Sequence, residues 1–411
     1  MAISSITASA IIIQMPLGLY ISVPFCKTKC SYCNFASGVF SRVVFDRYIT
    51  RLCEEIEQTA NTAEQVGGLL EREANSVYVG GGTPTLLEIA QVERLFVTIS
   101  QNFEIKPEAE ITVECAPGTL TEKIIDLFLR MGVNRVSLGV QSFVDKEAAS
   151  VGRLHKRTTA LQDIARLRAA GISNINVDLI AGLPHQSKES WQESLDHTIA
   201  SAVPHVSVYM LEVDEDSRLG RELIAGGQKY HAHSVPDESL IADLYETACE
   251  QLNSAGILQY EISNFTRPGL ESKHNLKYWT RQPYLGFGVD AHSMLQAKNG
   301  AGAVRFANPE ILEKYLTGAA LTNSFVTEQG ELEESFFLGL RLNAGVDLAG
   351  LSTRFGEQAA DRCFEVTADL VSAQLLKRKG NCIRLTPRGR LLSNEVFERF
   401  LLKEAAIALT Q

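Results

Sequence analysis

No apolar run in the chain approaches the roughly 20 residues that a bilayer-spanning helix needs, so no membrane-spanning helix is expected in it. Positive charge is also in short supply: 39 Lys and Arg stand against 49 Asp and Glu, a net charge of -10. Phosphate recognition needs clustered basic side chains, and no nucleic-acid partner is expected. The stretch from Arg153 to Arg157 remains a candidate local anion site. A disulfide framework is missing too, because Cys53, Cys115, Cys249, Cys363 and Cys382 fall without a spacing pattern and read as buried thiols in a reducing compartment. Met1-Ala-Ile-Ser-Ser5 lacks the basic start of a secretory signal, although residues 10–13 are apolar. These absences predict a cytoplasmic protein. With 411 residues, 45% of them apolar, the chain can build a large core and an appended domain.

What the chain does have is three cysteines in one short segment, Cys26, Cys30 and Cys33 in Phe25-Cys-Lys-Thr-Lys-Cys-Ser-Tyr-Cys-Asn-Phe35. Spacings of four and three residues let one loop wrap three thiolates around a 4Fe-4S cube, which leaves one iron without a protein ligand. That iron is open to a small chelating molecule. The alternatives are a zinc site or chance thiols; zinc sites usually add a fourth Cys or His nearby, and none follows before Cys53. The spacing resembles that of the radical-SAM superfamily. This resemblance implies that the amino and carboxylate groups of S-adenosylmethionine (SAM) occupy the open iron, and that electron transfer from the cluster cleaves the sulfonium to release an adenosyl radical.

Short apolar runs alternate with amphipathic stretches through the first half, the pattern of parallel strands joined by helices. Strands are predicted over 19–23, 76–79, 110–114, 135–140, 176–180 and 205–210, with helices over 45–59, 87–101, 121–131, 158–170 and 188–200. Six such repeats are too few for a closed eight-stranded barrel and suit a partial (β/α)6 barrel. The fold class is therefore α/β.

Ligands of such folds bind at the C-terminal ends of the strands, where the polar motifs of this chain fall. The cysteine loop follows the first strand, and Val79-Gly-Gly-Gly-Thr-Pro84 follows the second. Consecutive glycines allow close backbone approach and positive φ; such a turn is a candidate grip for the SAM amino group or a plain tight turn. Glu114, Gln141 in Gly139-Val-Gln-Ser-Phe143, and Asp178 lie at or near the next three strand ends, placed to meet ribose hydroxyls and the methionine amine. Arg153 offers a fork of donors to the methionine carboxylate. Each alone could be a helix cap or a surface ion pair.

Residues 212–236 are polar and glycine-containing, as an insertion or lid would be, and a further helix over 238–255 and strand over 259–263 follow. From about 331 the pattern is mainly helical, with a strand-like end at 382–385. Three parts are expected: residues 1–211 as the barrel with the cluster and SAM site, 212–310 as an extension, and 311–411 as a small, mainly helical domain.

Over nearly its whole length the chain resembles the oxygen-independent coproporphyrinogen oxidase family of radical-SAM proteins. The resemblance rests on Tyr20-Ile-Ser-Val-Pro-Phe-Cys26, Gly80-Gly-Gly-Thr-Pro84, Gly139-Val-Gln-Ser-Phe143, Asp178-Leu-Ile-Ala-Gly-Leu-Pro184, Tyr260-Glu-Ile-Ser-Asn-Phe265 and His274-Asn-Leu-Lys-Tyr-Trp279. It implies cluster ligation by Cys26, Cys30 and Cys33, and SAM contacts from Tyr20, Tyr32, Gly81, Gly82, Thr83, Glu114, Gln141, Arg153, Asp178 and Met210. The oxidases of this family carry a further cysteine where Phe35 stands and a longer segment before the cluster. Both departures point to a branch understood as haem chaperones, with haem as a third cofactor. Haem-accepting respiratory proteins are then the partners, a transient membrane protein among them; oxidative decarboxylation of coproporphyrinogen is the alternative. His274 corresponds to the haem-associated histidine of that branch: an imidazole ligates haem iron while aromatic faces cover the macrocycle, although a histidine among aromatics is also a common core residue. His292 is a second candidate, in a loop where Val289-Asp290 replace the family's Pro-Gly.

Overall fold

The computed structural model describes residues 15–401; the expectations for residues 1–5 and 10–13 lie outside them. Twelve strands form one sheet. Its centre is β1 (Leu17–Val23), β2 (Glu73–Gly81), β3 (Glu104–Cys115), β4 (Arg135–Gln141), β5 (Asn174–Ala181) and β6 (His205–Met210), parallel and in sequential order. Helices Arg42–Glu57, Ile89–Asn102, Glu122–Arg130, Arg157–Ala169 and Lys188–Ala200 connect them. This is the expected six-unit partial barrel.

Period-two patterning explains the arrangement. Along β4, β5 and β6 the residues Val136, Leu138, Ile175, Val177, Val206 and Val208 are fully buried in the core that the helices share. The alternate residues, Ser137, Asn176, Asp178, His205 and Ser207, hydrogen-bond to one another on the other face. Successive side chains of a strand point to opposite faces, so the barrel has an apolar outside under its helices and a polar inside.

The flanks depart from the sequence expectation. Instead of one strand over 259–263 there is a hairpin, β7 (Leu258–Gln259) and β8 (Asn264–Thr266), whose β8 pairs antiparallel with β6. Residues 260–263 form its turn. On the other flank β9 (Tyr284–Phe287) runs parallel to β1, and β10 (His292–Gln296), β11 (Ala303–Ala307) and β12 (Thr322–Val326) continue antiparallel. These strands were missed. Glycine and charged residues interrupt their apolar pattern, and long-range pairing rather than local propensity holds them.

A second core begins at helix Glu328–Gly339 and joins Leu332, Phe336, Leu340, Leu370, Ile383, Val396 and Phe400. Around it pack helices Leu348–Phe355 and Glu357–Ser372 and a small antiparallel sheet, β13 (Val346–Asp347), β15 (Cys382–Leu385) and β14 (Leu376–Lys379). β12, on the far side of the 310/311 division, still belongs to the main sheet. A buried ion-pair network ties this unit to the barrel: Arg281 reaches Glu331 at 3.0 Å and Glu334 at 2.7 Å, and Arg305 reaches Glu334 at 2.8 Å.

Among the described residues no helix is long and apolar enough to cross a membrane.

Candidate cofactor site at the strand ends

A cavity of about 630 Å³ opens at the C-terminal ends of the strands, a volume that suits a small-molecule cofactor. Its lining includes Cys26, Cys30, Cys33 and Tyr32 from the loop after β1, and Gly81, Gly82 and Thr83 from the loop after β2. Glu114, Gln141, Arg153, Asp178 and Met210 complete the set from the later strands. Twelve of the fifteen residues picked from sequence therefore line one cavity. Phe35 stands at its edge, 64% exposed.

Tyr20 and His274 are placed elsewhere. Tyr20 lies behind the glycine turn, its ring 6.1 Å from that of Tyr78 and 6.2 Å from that of His274. His274, 1% exposed, sits on helix Lys273–Trp279, which packs across the opposite, N-terminal end of the barrel. Lys277 of this helix donates to the carbonyl of Pro16, just before β1. The His274 ring is engaged at both nitrogens, Nδ1 with Ser76 Oγ at 3.1 Å and Nε2 with Tyr278 Oη at 2.9 Å. Burial first, and then the nearby Lys277 and Arg135 charges, push its pKa down to about 3. The imidazole is neutral. His292 is exposed at the start of β10, 4.0 Å from Asp290. The Val289-Asp290 pair fits its turn, since Asp290 takes φ 57° and the Val289 N–H donates to Tyr48 Oη at 3.0 Å.

The local backbone explains the glycine turn. Gly81 has φ 97°, a region that L side chains rarely adopt. A Cβ at Gly82 would lie 2.7 Å from the Val23 carbonyl and 2.8 Å from that of Phe25. The turn is thus bonded closely to the start of the cysteine loop, with Gly82 N–H donating to Val23 O and Thr83 N–H to Phe25 O. Gln141 is a non-glycine residue at φ 69°, beside a register shift between β4 and β5. Such strained positions at strand irregularities redirect a side chain, and here the Gln141 amide joins the cavity wall.

Two carboxylates share this cavity. Glu114 accepts from Tyr78 Oη at 2.8 Å and from the Gly81 N–H at 3.0 Å, and its pKa is raised to about 7, by desolvation first and by Asp178 as well. Asp178 accepts from Asn176 Nδ2 at 2.7 Å and Ser137 Oγ at 3.2 Å, and desolvation raises its pKa too. Arg153 donates Nη2–H to Gly139 O at 2.6 Å, in space that a side chain at 139 would fill. Its buried Nε has no partner among the described residues.

These groups fit the cluster and SAM. The orphaned Arg153 N–H matches a ligand carboxylate, and two enclosed carboxylates match a cationic ligand. Three thiols on one loop are the donor type that such a cluster takes. The start of the 212–236 segment adds to the wall: Glu212, Val213 and Asp214 line the cavity, Asn34 Nδ2 donates to Asp214 at 2.8 Å, and Leu219 N–H donates to Ser31 O at 2.8 Å. Sequence reasoning missed Tyr78, Ser137 and Asn176 as supports of the two carboxylates. Their signal was the polar residue at every second position of an otherwise apolar strand.

Comparison with known proteins agrees with this geometry. The Radical SAM superfamily profile matches residues 20–198, and that of the HemN C-terminal domain matches residues 326–392. The protein named heme chaperone HemW of Lactococcus lactis is 32% identical over 95% of this chain and 99% of its own length. Its counterpart of the same name in Bacillus subtilis is 33% identical over 93% of this chain and 98% of its own. The chain belongs to the HemW family of radical-SAM proteins. Its fold is also similar to that of the Escherichia coli coproporphyrinogen III oxidase HemN, a radical SAM enzyme, with TM-score 0.80 and 25% identity over 94% of this chain and 90% of that one.

The raised Glu114 pKa gives a pH dependence. A cationic ligand favours the ionised carboxylate, so binding SAM releases the proton that Glu114 holds below about pH 7. Affinity of the cluster-loaded protein is expected to rise about tenfold from about pH 6 to about pH 8, measured by equilibrium dialysis. In Glu114→Gln the rise should largely vanish; an unchanged profile would show that Glu114 does not face the cation.

Proposed function

We propose that this protein is a cytoplasmic haem chaperone that holds a 4Fe-4S cluster through Cys26, Cys30 and Cys33, keeps SAM in the strand-end cavity, and passes haem to respiratory acceptor proteins. The observation that carries this reading is the nearly full-length similarity to proteins named heme chaperones. Phe35 supports it, placing an exposed apolar ring at the cavity edge where the oxidases of the resembled family have a thiol.

A reduced cluster supplies the electron that can cleave the SAM sulfonium. The residues of the chain hold the cofactor in place. Arg153 pairs with the ligand carboxylate, Glu114 and Asp178 offset its positive charge, and the Gly81-Gly82-Thr83 backbone borders its polar end. Glu212, Val213 and Asp214 border its remaining side.

For haem, His274 is the proposed iron ligand. Its neutral state leaves a lone pair for iron, and in the tautomer protonated at Nδ1 that lone pair is on Nε2, where Tyr278 O–H now occupies it. Ligation then requires helix Lys273–Trp279 to turn out and break this bond. Haem titration followed by the Soret band tests the assignment. Binding to His274→Ala should be at least about tenfold weaker than to wild type, whereas Tyr278→Phe, which removes the competing donor, should bind no more weakly. Wild-type affinity in a folded His274→Ala protein would overturn the assignment.

A second reading, oxidative decarboxylation of coproporphyrinogen III, is favoured by the complete cavity wall and the fold similarity to the oxidase. Anaerobic incubation of the cluster-loaded protein with SAM, reductant and coproporphyrinogen III, read by mass, separates the two. The chaperone reading predicts no doubly decarboxylated product; its formation, lost in Cys30→Ala, would establish the enzyme.

A further inference from the structure

The helix bearing His274 and the cavity occupy opposite ends of the barrel, yet a continuous line of hydrogen bonds joins them. Ser272, the N-cap of that helix, donates its N–H to Tyr260 Oη at 3.3 Å. Tyr260 Oη lies 3.0 Å from His205 Nε2, and His205 Nδ1 lies 2.6 Å from Asn176 Oδ1. Asn176 Nδ2 in turn donates to Asp178 Oδ1 at 2.7 Å. His205 and Ser272 are fully buried and Asn176 is nearly so.

One direction of donation satisfies every link. The amide oxygen of Asn176 can only accept, which places the proton of His205 on Nδ1. Nε2 is then an acceptor and takes the Tyr260 O–H, whose oxygen is left to accept from Ser272. His205 must be neutral for this order, and burial, with the Arg135 charge, drives its pKa well below the ordinary imidazole value. Glu110 from β3 flanks the same end, accepting from Ser272 Oγ and from the His274 N–H, both at 3.2 Å. The chain of bonds therefore starts at the cap of the His274 helix and ends on a carboxylate in the cavity wall.

We infer that His205 and Tyr260 are positioning residues that align the Asp178 carboxylate and couple the occupancy of the cavity to the seating of helix Lys273–Trp279. A ligand that draws on Asp178 polarises and tightens the bonds behind it, and the coupling is reciprocal: releasing the helix relaxes Asp178. A partial unlocking of the His274 helix would thus depend on whether the cavity is filled. The inference rests on the proposed SAM site and is independent of haem.

Hydrogen exchange of the cluster-loaded protein, with and without SAM, tests it. In wild type, SAM should slow exchange in residues 80–83, which border the cavity, and also slow it about threefold or more in residues 272–280 at the far end. In Tyr260→Phe, which loses one hydroxyl, the first effect should remain and the second disappear. Where SAM does protect residues 80–83, a far-end effect that is absent in wild type, or equal in the variant, overturns the inference. Asp178→Asn reads the same line without any ligand: exchange in residues 272–280 should quicken relative to wild type, and an unchanged rate overturns the coupling even where SAM does not protect residues 80–83. Failure of that protection alone counts against the SAM site and leaves this last comparison to decide the relay.

Discussion

The structure depends on a polar barrel interior that has been withdrawn from water. A buried polar group without a partner is costly, so the inward side chains of β1 to β6 must satisfy one another or a ligand. Toward the N-terminal end most of them satisfy one another, through Ser76, Glu110, Asn176, His205 and the helix that bears His274, while the buried Arg135 Nε and Thr112 Oγ1 keep no hydrogen-bond partner among the described residues. Toward the C-terminal end Arg153 also keeps an orphaned N–H, and burial raises the pKa of both Glu114 and Asp178 beside an open cavity. The cysteine loop lies at this open end.

The same constraint decides details that otherwise look unrelated. His205 and His274 are both neutral chiefly because burial disfavours the charged imidazole, and because an added charge inside would also face Arg135. Gly139 has no side chain because Arg153 fills the space, and Gly82 has none because the turn packs on the backbone of the cysteine loop. The apolar faces of the strands, from Leu19 to Val208, lie under the helices and supply the hydrophobic stabilisation that the interior does not.

Much of this was legible in the sequence because local patterns carry it. All six central strands and their helices follow from apolar runs and amphipathic periodicity, and the cavity set follows from motifs placed after strands. Tyr20 was grouped with that set, and His274 was read as a haem ligand without a place in the fold, because a motif does not say which end of a barrel its residue faces. β9 to β12 were missed since their pairing is long-range, whereas β15 matches the strand expected over 382–385 and only its partners β13 and β14 were missed. The relay through Tyr260 and His205 joins residues 55 positions apart with no spacing rule between them, although the alternation His205-Val-Ser-Val in β6 already marked an inward polar face.

The central claim is that three cysteines hold a cluster whose fourth iron faces this cavity and takes SAM. Electron paramagnetic resonance of the reduced, reconstituted protein with and without SAM tests it most directly. The account predicts a 4Fe-4S signal whose g-values shift when SAM is added, because the ligand binds the cluster itself. A signal that is the same in the presence of saturating SAM would contradict it.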